Sequence, residues 1–431
     1  MKSMSKDKKL LIIAFILGAL LLVCCWYSPD SEFQSDSEDL VIGSMVYGAR
    51  ERGTMKYGLT VARETSISSG DYISTVMQEY YDVQEVSYTD YTSQIGLQGF
   101  AFRSVARLLC TGKPLVSSIF MLKHIMRAVC CIAIALITMG IVFCVGKKHN
   151  LKLAAAFYLT FLLSPWVADF SNNMYWVEFT WFVPMLLGLI ISLDYKRYDK
   201  LWFYLLVFIT IAVKSACGYE YITTVMLGMI LFPLVDLFTK ERGEKKTVFL
   251  VIIKMGLCAL AGFFAIIVIH AIMRGDGNLA VGLNDIYVND VLRRTNGANK
   301  NVPDYVRFPE YYNMPIKNRI LKTLGMYFEF TTDVIDGAVS FLFVPLVVLS
   351  GVVMLWRAAK KENRWELILF VLAFVCTASW HVLANQHSSM HTHISFVLWY
   401  FGFVQMLVYA VICLIDTFLS AAQRVKDASD S

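Results

Sequence analysis

Apolar residues in this chain fall in long, nearly unbroken stretches instead of alternating with polar ones. A helix crossing the ~30 Å hydrocarbon layer of a bilayer needs roughly 20 such residues. Ten stretches answer to that description: 9–27, 124–145, 151–168, 174–193, 201–217, 221–239, 247–273, 336–356, 365–384 and 394–416. Those at 151–168 and 201–217 are the shortest. The pattern predicts an all-α polytopic membrane protein with about ten transmembrane helices. The first stretch follows Lys8 and Lys9, as a signal peptide would. Its apolar run is longer than a usual h-region and no A-x-A site follows, so it reads as an uncleaved first helix.

The gaps between the stretches divide the chain into a cytoplasmic tail with the first helix (1–27), a long loop (28–123), helices two to seven (124–273), a second long loop (274–335), and helices eight to ten with a tail (336–431). Long structureless loops are uncommon in compact proteins, so both long loops are expected to hold structure of their own. In the first, Leu97, Ala101, Val105 and Leu108 share a helical face, with Arg103 and Arg107 one turn apart on another, and Gly112 and Pro114 follow. In the second, Pro315 suits a first helical position, and Ile316, Ile320 and Leu324 recur at fours. Both segments read as amphipathic helices lying on a membrane surface.

Charge orients the chain. If the N-terminus is cytoplasmic, the inner segments hold twenty basic residues, among them Lys147, Lys148, Lys152, Lys240, Arg357 and Arg364, while the short outer loops 169–173, 218–220 and 385–393 hold none. By the positive-inside rule both termini are then cytoplasmic, and both long loops are extracytoplasmic. The chemistry is expected to face outward.

Composition agrees. Of 431 residues, 57% are hydrophobic and only 17% charged, against about a quarter charged in soluble domains. That excludes an ordinary soluble enzyme and a disordered chain. The net charge of +5 is too small and scattered to suggest nucleic acid. Most of the ten cysteines lie inside apolar runs, as small apolar side chains and not as a disulfide framework; Cys110 and Cys217 lie near the outer face, without a bridge expected.

Candidate chemistry gathers in the outer segments. Asp30, Glu38 and Asp39 belong to an acidic stretch soon after the first helix, and a helix is expected to begin at Glu38-Asp39. Acids favour helix N-termini on electrostatic grounds alone, and a carboxylate at the surface can also act as a general base. Tyr91 and Gln94 lie in a Gly- and Gln-rich turn before Arg103 and Arg107, whose guanidinium groups match phosphate geometry or else meet lipid headgroups. Glu178 and Glu220 sit near span ends, where acids are costly, and Lys214 is a partner within reach of Glu220. Trp166, Tyr175, Trp176, Trp181, Tyr219 and Tyr221 read as an interfacial aromatic belt or as a platform for stacking sugars. Arg293, Arg294 and Arg307 lie in the second long loop, where the charge rule gives no reason for them. Four of seven histidines lie at 381–393. His387 and His391 are one turn apart, a spacing that suits a divalent metal ion, hydrogen bonding to a phosphate or sugar, or simple capping.

This layout resembles the GT-C class of integral-membrane glycosyltransferases, relatives of protein O-mannosyltransferases and aminoarabinose transferases. The resemblance lies in one span followed by a long outer loop with early acids, in Glu38-Asp39…Gly53, in Tyr91-x-Ser93-Gln94-x-Gly96-Leu97-x-Gly99, and in the Asn173-x-Tyr175-Trp176…Pro184 and Gly218-Tyr219-Glu220-Tyr221 segments. It implies a polyprenyl-phosphate-linked sugar donor, an envelope glycan, lipid or protein acceptor, and a first-loop acid as catalytic base: Asp39 or Glu38, with Asp30 in reserve. The class's adjacent Asp-Glu order is reversed here. The donor phosphate would meet Arg103, Arg107, Arg293 or Arg294. Some members hold a divalent metal, a role open to His387 and His391. Topology argues for a lipid-linked donor independently, because nucleotide sugars are cytoplasmic. Competing classes are a transporter or flippase, a membrane O-acyltransferase, and a non-catalytic envelope-assembly protein.

Overall fold

In a computed structural model, residues 6–24, 37–50, 53, 55–63, 87–295, 314–329, 343–360 and 363–429 are described. Helix makes up 84% of the structure. Over the described residues, each apolar stretch read from the sequence is mainly helical. The main helices are α1 (Lys6–Cys24), α2 (Glu38–Ala49), α3 (Leu97–Cys110), α4 (Leu115–Lys148), α5 (Leu151–Leu163), α6 (Pro165–Ser171), α7 (Phe179–Leu193), α8 (Leu201–Cys217), α9 (Ile222–Thr239), α10 (Arg242–Arg274), α11 (Leu279–Ile286), α12 (Ile316–Glu329), α13 (Phe343–Ala358), α14 (Arg364–Leu383), α15 (Asn385–Met390) and α16 (Phe403–Ser429).

Five of these, α4, α9, α10, α14 and α16, are long and apolar enough to cross a membrane, and α5 with α6 makes a sixth if the bent pair is one span. The protein is an all-α membrane protein on this count. The apolar helices of α1, α7, α8 and α13 are shorter. At 1.5 Å per residue, the 17 residues of α8 reach only about 26 Å, short of the ~30 Å core.

The bend between α5 and α6 is 62°. Its cause is local. Pro165 cannot continue α5 but suits the first turn of a new helix. Ser164 caps that helix, its Oγ accepting from the Val167 N–H at 3.1 Å.

α9 lies at the centre, packed between α7 and α14, while α4 joins α7 to α1 and α5. α10 is peripheral and touches α8, and its outer face exposes Phe249, Leu257 and Phe264. Such an apolar surface is expected where lipid replaces water.

The two expected loop helices are present as α3 and α12, the second starting directly after Pro315. One feature of the first loop was not expected: a two-stranded antiparallel sheet pairing β1 (Thr60–Arg63) with β2 (Ser87–Asp90), Thr60 opposite Asp90 and Arg63 opposite Ser87. α2 packs along α3 and against β1. The α2–α3 contact is close because Gly48 has no side chain: a Cβ there would meet the Arg103 carbonyl oxygen at 2.6 Å.

The bundle has two polar ends. One, the loop end, carries α2, the sheet, α3, the 172–178 turn, the 218–221 turn, α11 and α15. At the other, the basic end, Lys148 pairs with Asp236 and Arg357 with Glu366.

Candidate functional site

At the loop end a polar cavity of about 190 Å³ is lined by Ser37, Tyr91, Ser93, Tyr175, Trp176, Glu220, Asp290, Arg294, Gln386, His387, Met390, His391 and Ile394. At about 30 Å³ per water it has room for at least six, which suits a small polar group. Its walls come from both long loops, from both short turns and from α15. No single stretch of sequence could supply it.

Its electrostatic centre is a chain of alternating charges. Arg274, at the end of α10, pairs with both Asp285 and Asp290. Asp290 also accepts from Arg294 Nη1 at 2.9 Å, and Arg294 Nη2 reaches Glu220 at 3.3 Å. Asp290 and Arg294 are four residues apart, a spacing that places them on one helical face. Asp290 sits in a π-helical turn, Tyr287–Val291, of a kind frequent at functional sites. Burial opposes the Arg294 charge, but the Glu220 and Asp290 carboxylates outweigh it and raise its pKa further. Burial first, and the Glu220 carboxylate second, raise the Tyr91 phenol above its usual range. Tyr91 is therefore a neutral hydrogen-bonding group at ordinary pH.

The Gly218-Tyr219-Glu220-Tyr221 turn owes its shape to the residues around it. A Cβ on Gly218 would lie 2.6 Å from Glu220 Oε2 and 2.8 Å from Gln94 Oε1, so only glycine fits without displacing the acid. Tyr221 has φ +66°, rare for a residue with a Cβ. It is held by its ring, fully buried and packed against Trp176 at 5.7 Å, Trp181 at 5.1 Å and Trp380 at 5.6 Å. Such strain survives only where the surroundings fix it. His270 fastens the same turn: Nδ1 meets the Tyr219 hydroxyl at 2.9 Å and Nε2 the Thr92 carbonyl at 3.0 Å.

The aromatic-belt reading is corrected here. Trp166, Tyr175, Trp176, Trp181 and Tyr221 are buried, and only Tyr219 is partly exposed. Tyr175, Trp176, Trp181 and Tyr221 pack on one another, Trp166 packs on Phe396, and Tyr175 and Trp176 face the cavity. Lys214 also differs from its expected pairing. It donates to the Gly218 carbonyl at 2.7 Å, over the Trp181 ring, while the direct partner of Glu220 is Arg294.

Of the residues singled out from the sequence, Tyr91, Glu220, Arg294, His387 and His391 meet in the cavity. Gln94 lies behind its wall, accepting from the Tyr175 hydroxyl at 3.4 Å. Glu38 is elsewhere. Its carboxylate takes a fork from Arg127, with Nε at 2.9 Å, and a bond from the Met174 N–H at 3.1 Å. Neither Glu38 nor Asp39 lines the cavity, although Ser37 does. Arg103 donates to the Tyr57 and Gly58 carbonyls, locking the first loop onto α3, and Arg107 is exposed on α3. Glu178 is buried with neither oxygen hydrogen-bonded among the described residues. Asp30 and Arg307, and the side chain of Arg293, lie outside the described residues.

The His387 and His391 rings are 4.7 Å apart. Among the described residues no group of three His, Cys, Asp or Glu could hold a metal ion. Asp290, Gln386 and the supporting Arg274 were not picked out from the sequence. The spacing of Asp290 and Arg294 was the available signal for the first; nothing local marked the other two. All eight described cysteines are free. A comparison with protein-family models, curated proteins and solved structures finds no match.

Proposed function

We propose that this protein is a GT-C-like glycosyltransferase that moves a sugar from a polyprenyl-phosphate carrier to an envelope acceptor at the loop end. In this reading all ten apolar helices span or enter a cell membrane, both termini are cytoplasmic and the loop end is extracytoplasmic. The observation that supports it is the cavity itself, in which acids, a guanidinium, imidazoles, phenols and an indole converge from five separate segments. Aromatic faces and paired carboxylates suit a sugar ring and its hydroxyls. Glu220 is the carboxylate placed to take the proton of an attacking hydroxyl. Arg294 orients it and, as the guanidinium lining the cavity, would meet the donor phosphate. Tyr91, Gln386 and the two histidines hydrogen-bond the sugar. A divalent metal ion, if used, would need the donor's own phosphate oxygens beside His387 and His391.

The test is the glycan composition of the envelope in a strain lacking the protein, complemented with wild type, Glu220→Gln, Asp39→Asn, Glu38→Gln or Asp30→Asn. Loss of one sugar, restored by Asp39→Asn and Asp30→Asn but not by Glu220→Gln, is expected. A glycan unchanged by deletion refutes the transferase reading. Restoration by Glu220→Gln with failure of Asp39→Asn returns the base to the first loop.

One observation favours a second reading, a transporter or flippase. The break between α5 and α6 is of the kind transporters use at their binding sites. That reading predicts accumulation of an intact lipid-linked substrate on one leaflet in the deletion strain.

A further inference from the structure

The basic end holds a second cavity, of about 360 Å³. Two ion pairs face each other across it. In one, Lys148 Nζ lies 2.8 and 2.7 Å from the Asp236 oxygens and 3.2 Å from the Ser192 carbonyl, and the Tyr195 hydroxyl donates to Asp236 Oδ2 at 2.6 Å. All three ammonium hydrogens have acceptors. In the other, Arg357 forks onto Glu366 with Nε at 2.5 Å and Nη2 at 2.7 Å, and the Tyr409 hydroxyl also donates to Glu366, at 2.7 Å. Each carboxylate is thus met by a cation and a phenol.

What remains after this internal pairing is mostly donors. Arg357 keeps its Nη1 hydrogens. The Asn363 amide, at the rim, makes no side-chain hydrogen bond among the described residues. The His149 ring is stacked on Trp365 at 4.3 Å and 23°, and its Nε2 is buried without a partner among the described residues. Lys147 and Arg364 adjoin lining residues in sequence and Lys360 lies midway between Arg357 and Asn363, and none has a carboxylate partner among the described residues. Spare donors, a local excess of cations and a fixed guanidinium favour an oxyanion with several equivalent acceptors.

We propose that this cavity binds a phosphate monoester. Arg357 Nη1 and the Asn363 amide grip its oxygens, His149 donates from Nε2, and Trp365 holds the imidazole in place. The ligand is a lipid headgroup of the adjacent leaflet or a soluble phosphate. The inference does not depend on the transferase reading of the loop end.

The test uses full-length protein in nanodiscs of phosphatidylcholine, with or without a minor fraction of phosphatidic acid. Native mass spectrometry counts retained lipid. Inorganic phosphate is titrated separately against tryptophan fluorescence, with Trp365→Phe as the blank. The variants are Asn363→Ala and the double Arg357→Gln/Glu366→Gln, which leaves no carboxylate stranded. Preferred retention of phosphatidic acid is expected, falling about tenfold or more in the double variant, the size of one charge-assisted hydrogen bond. Asn363→Ala should weaken it about threefold. Phosphatidic acid retained with no response to inorganic phosphate identifies the lipid. A Trp365 response to inorganic phosphate, lost in the double variant, identifies a soluble ligand. Equal behaviour of wild type and both variants towards both probes overturns the proposal.

Discussion

Glu38 offers the sharpest separation between a structural and a chemical role. Resemblance makes it a candidate base, whereas its geometry makes it a tie between α2 and the 172–178 turn. Its side chain is 2% exposed and that of Arg127, its partner, 17%. Both are largely out of water. Glu38→Gln keeps the shape and can still accept from the Met174 N–H, but it removes the carboxylate charge onto which Arg127 forks. Removing one partner of a buried pair costs about 3–5 kcal/mol. The retained backbone bond favours the lower figure, about 3 kcal/mol. Replacing both partners, in Glu38→Gln/Arg127→Gln, should recover much of that loss, because no charge is then left buried.

The assay is the apparent unfolding midpoint in detergent, compared at one scan rate because unfolding of such proteins is commonly irreversible. At the ~2 °C per kcal/mol seen for the longer chains, Glu38→Gln should lower the midpoint by roughly 6 °C. The double variant should lie well above the additive sum of the two single changes. An unchanged midpoint, with envelope glycan lost, would refute the reasoning and return Glu38 to the chemistry.

Three further outcomes are expected. Tyr57→Phe should be neutral or stabilising by about 1 kcal/mol at pH 7, because the Tyr57 hydroxyl is buried with no partner among the described residues. Burial, the largest of the causes, pushes the Tyr57 pKa up from 10.0 to about 12, so the folded state holds this proton more tightly than the unfolded chain. Its stabilisation is therefore complete below pH 10 and lost as pH rises towards 12; Tyr57→Phe should shrink that alkaline loss, as midpoints recorded across the range will show. Gly218→Ala should push Glu220 away from Arg294, abolishing complementation at about 1–3 kcal/mol of stability; full complementation would show that the Glu220 position is not critical. A cysteine at Lys113 should react with an impermeant maleimide on intact cells and one at Lys240 only after permeabilisation; the reverse pattern would invert the orientation.

The sequence determined which segments are mainly helical and which end of each is basic. These are local properties. A 17- to 34-residue apolar run has only the helix as a way to satisfy its backbone inside a bilayer. Pro165 and Pro315 set helix starts here, whereas Pro184 and Pro233 lie inside α7 and α9. Helix length was also local, yet apolarity alone ran the 151–168 stretch through a 62° bend.

Site membership was another matter. Tyr91, Glu220, Arg294 and His387 were visible as polar residues out of place, but their meeting depends on packing among segments up to 296 positions apart. Asp290 and Arg274 were not picked out from the sequence; tertiary structure pairs them with each other and Asp290 with Arg294. The aromatic residues read either as a lipid-facing belt or as a platform for sugars because sequence records proximity to a span end and not the direction a ring points. Packing turned them inward around Tyr221. Glu38 and Arg103 illustrate the same limit in reverse. A charge in a loop is available for chemistry only if no partner takes it, and their partners, Arg127 and the Tyr57 and Gly58 carbonyls, lie 89, 46 and 45 positions away. Which charges remain for a ligand is therefore decided by long-range pairing, and that follows from the tertiary structure alone.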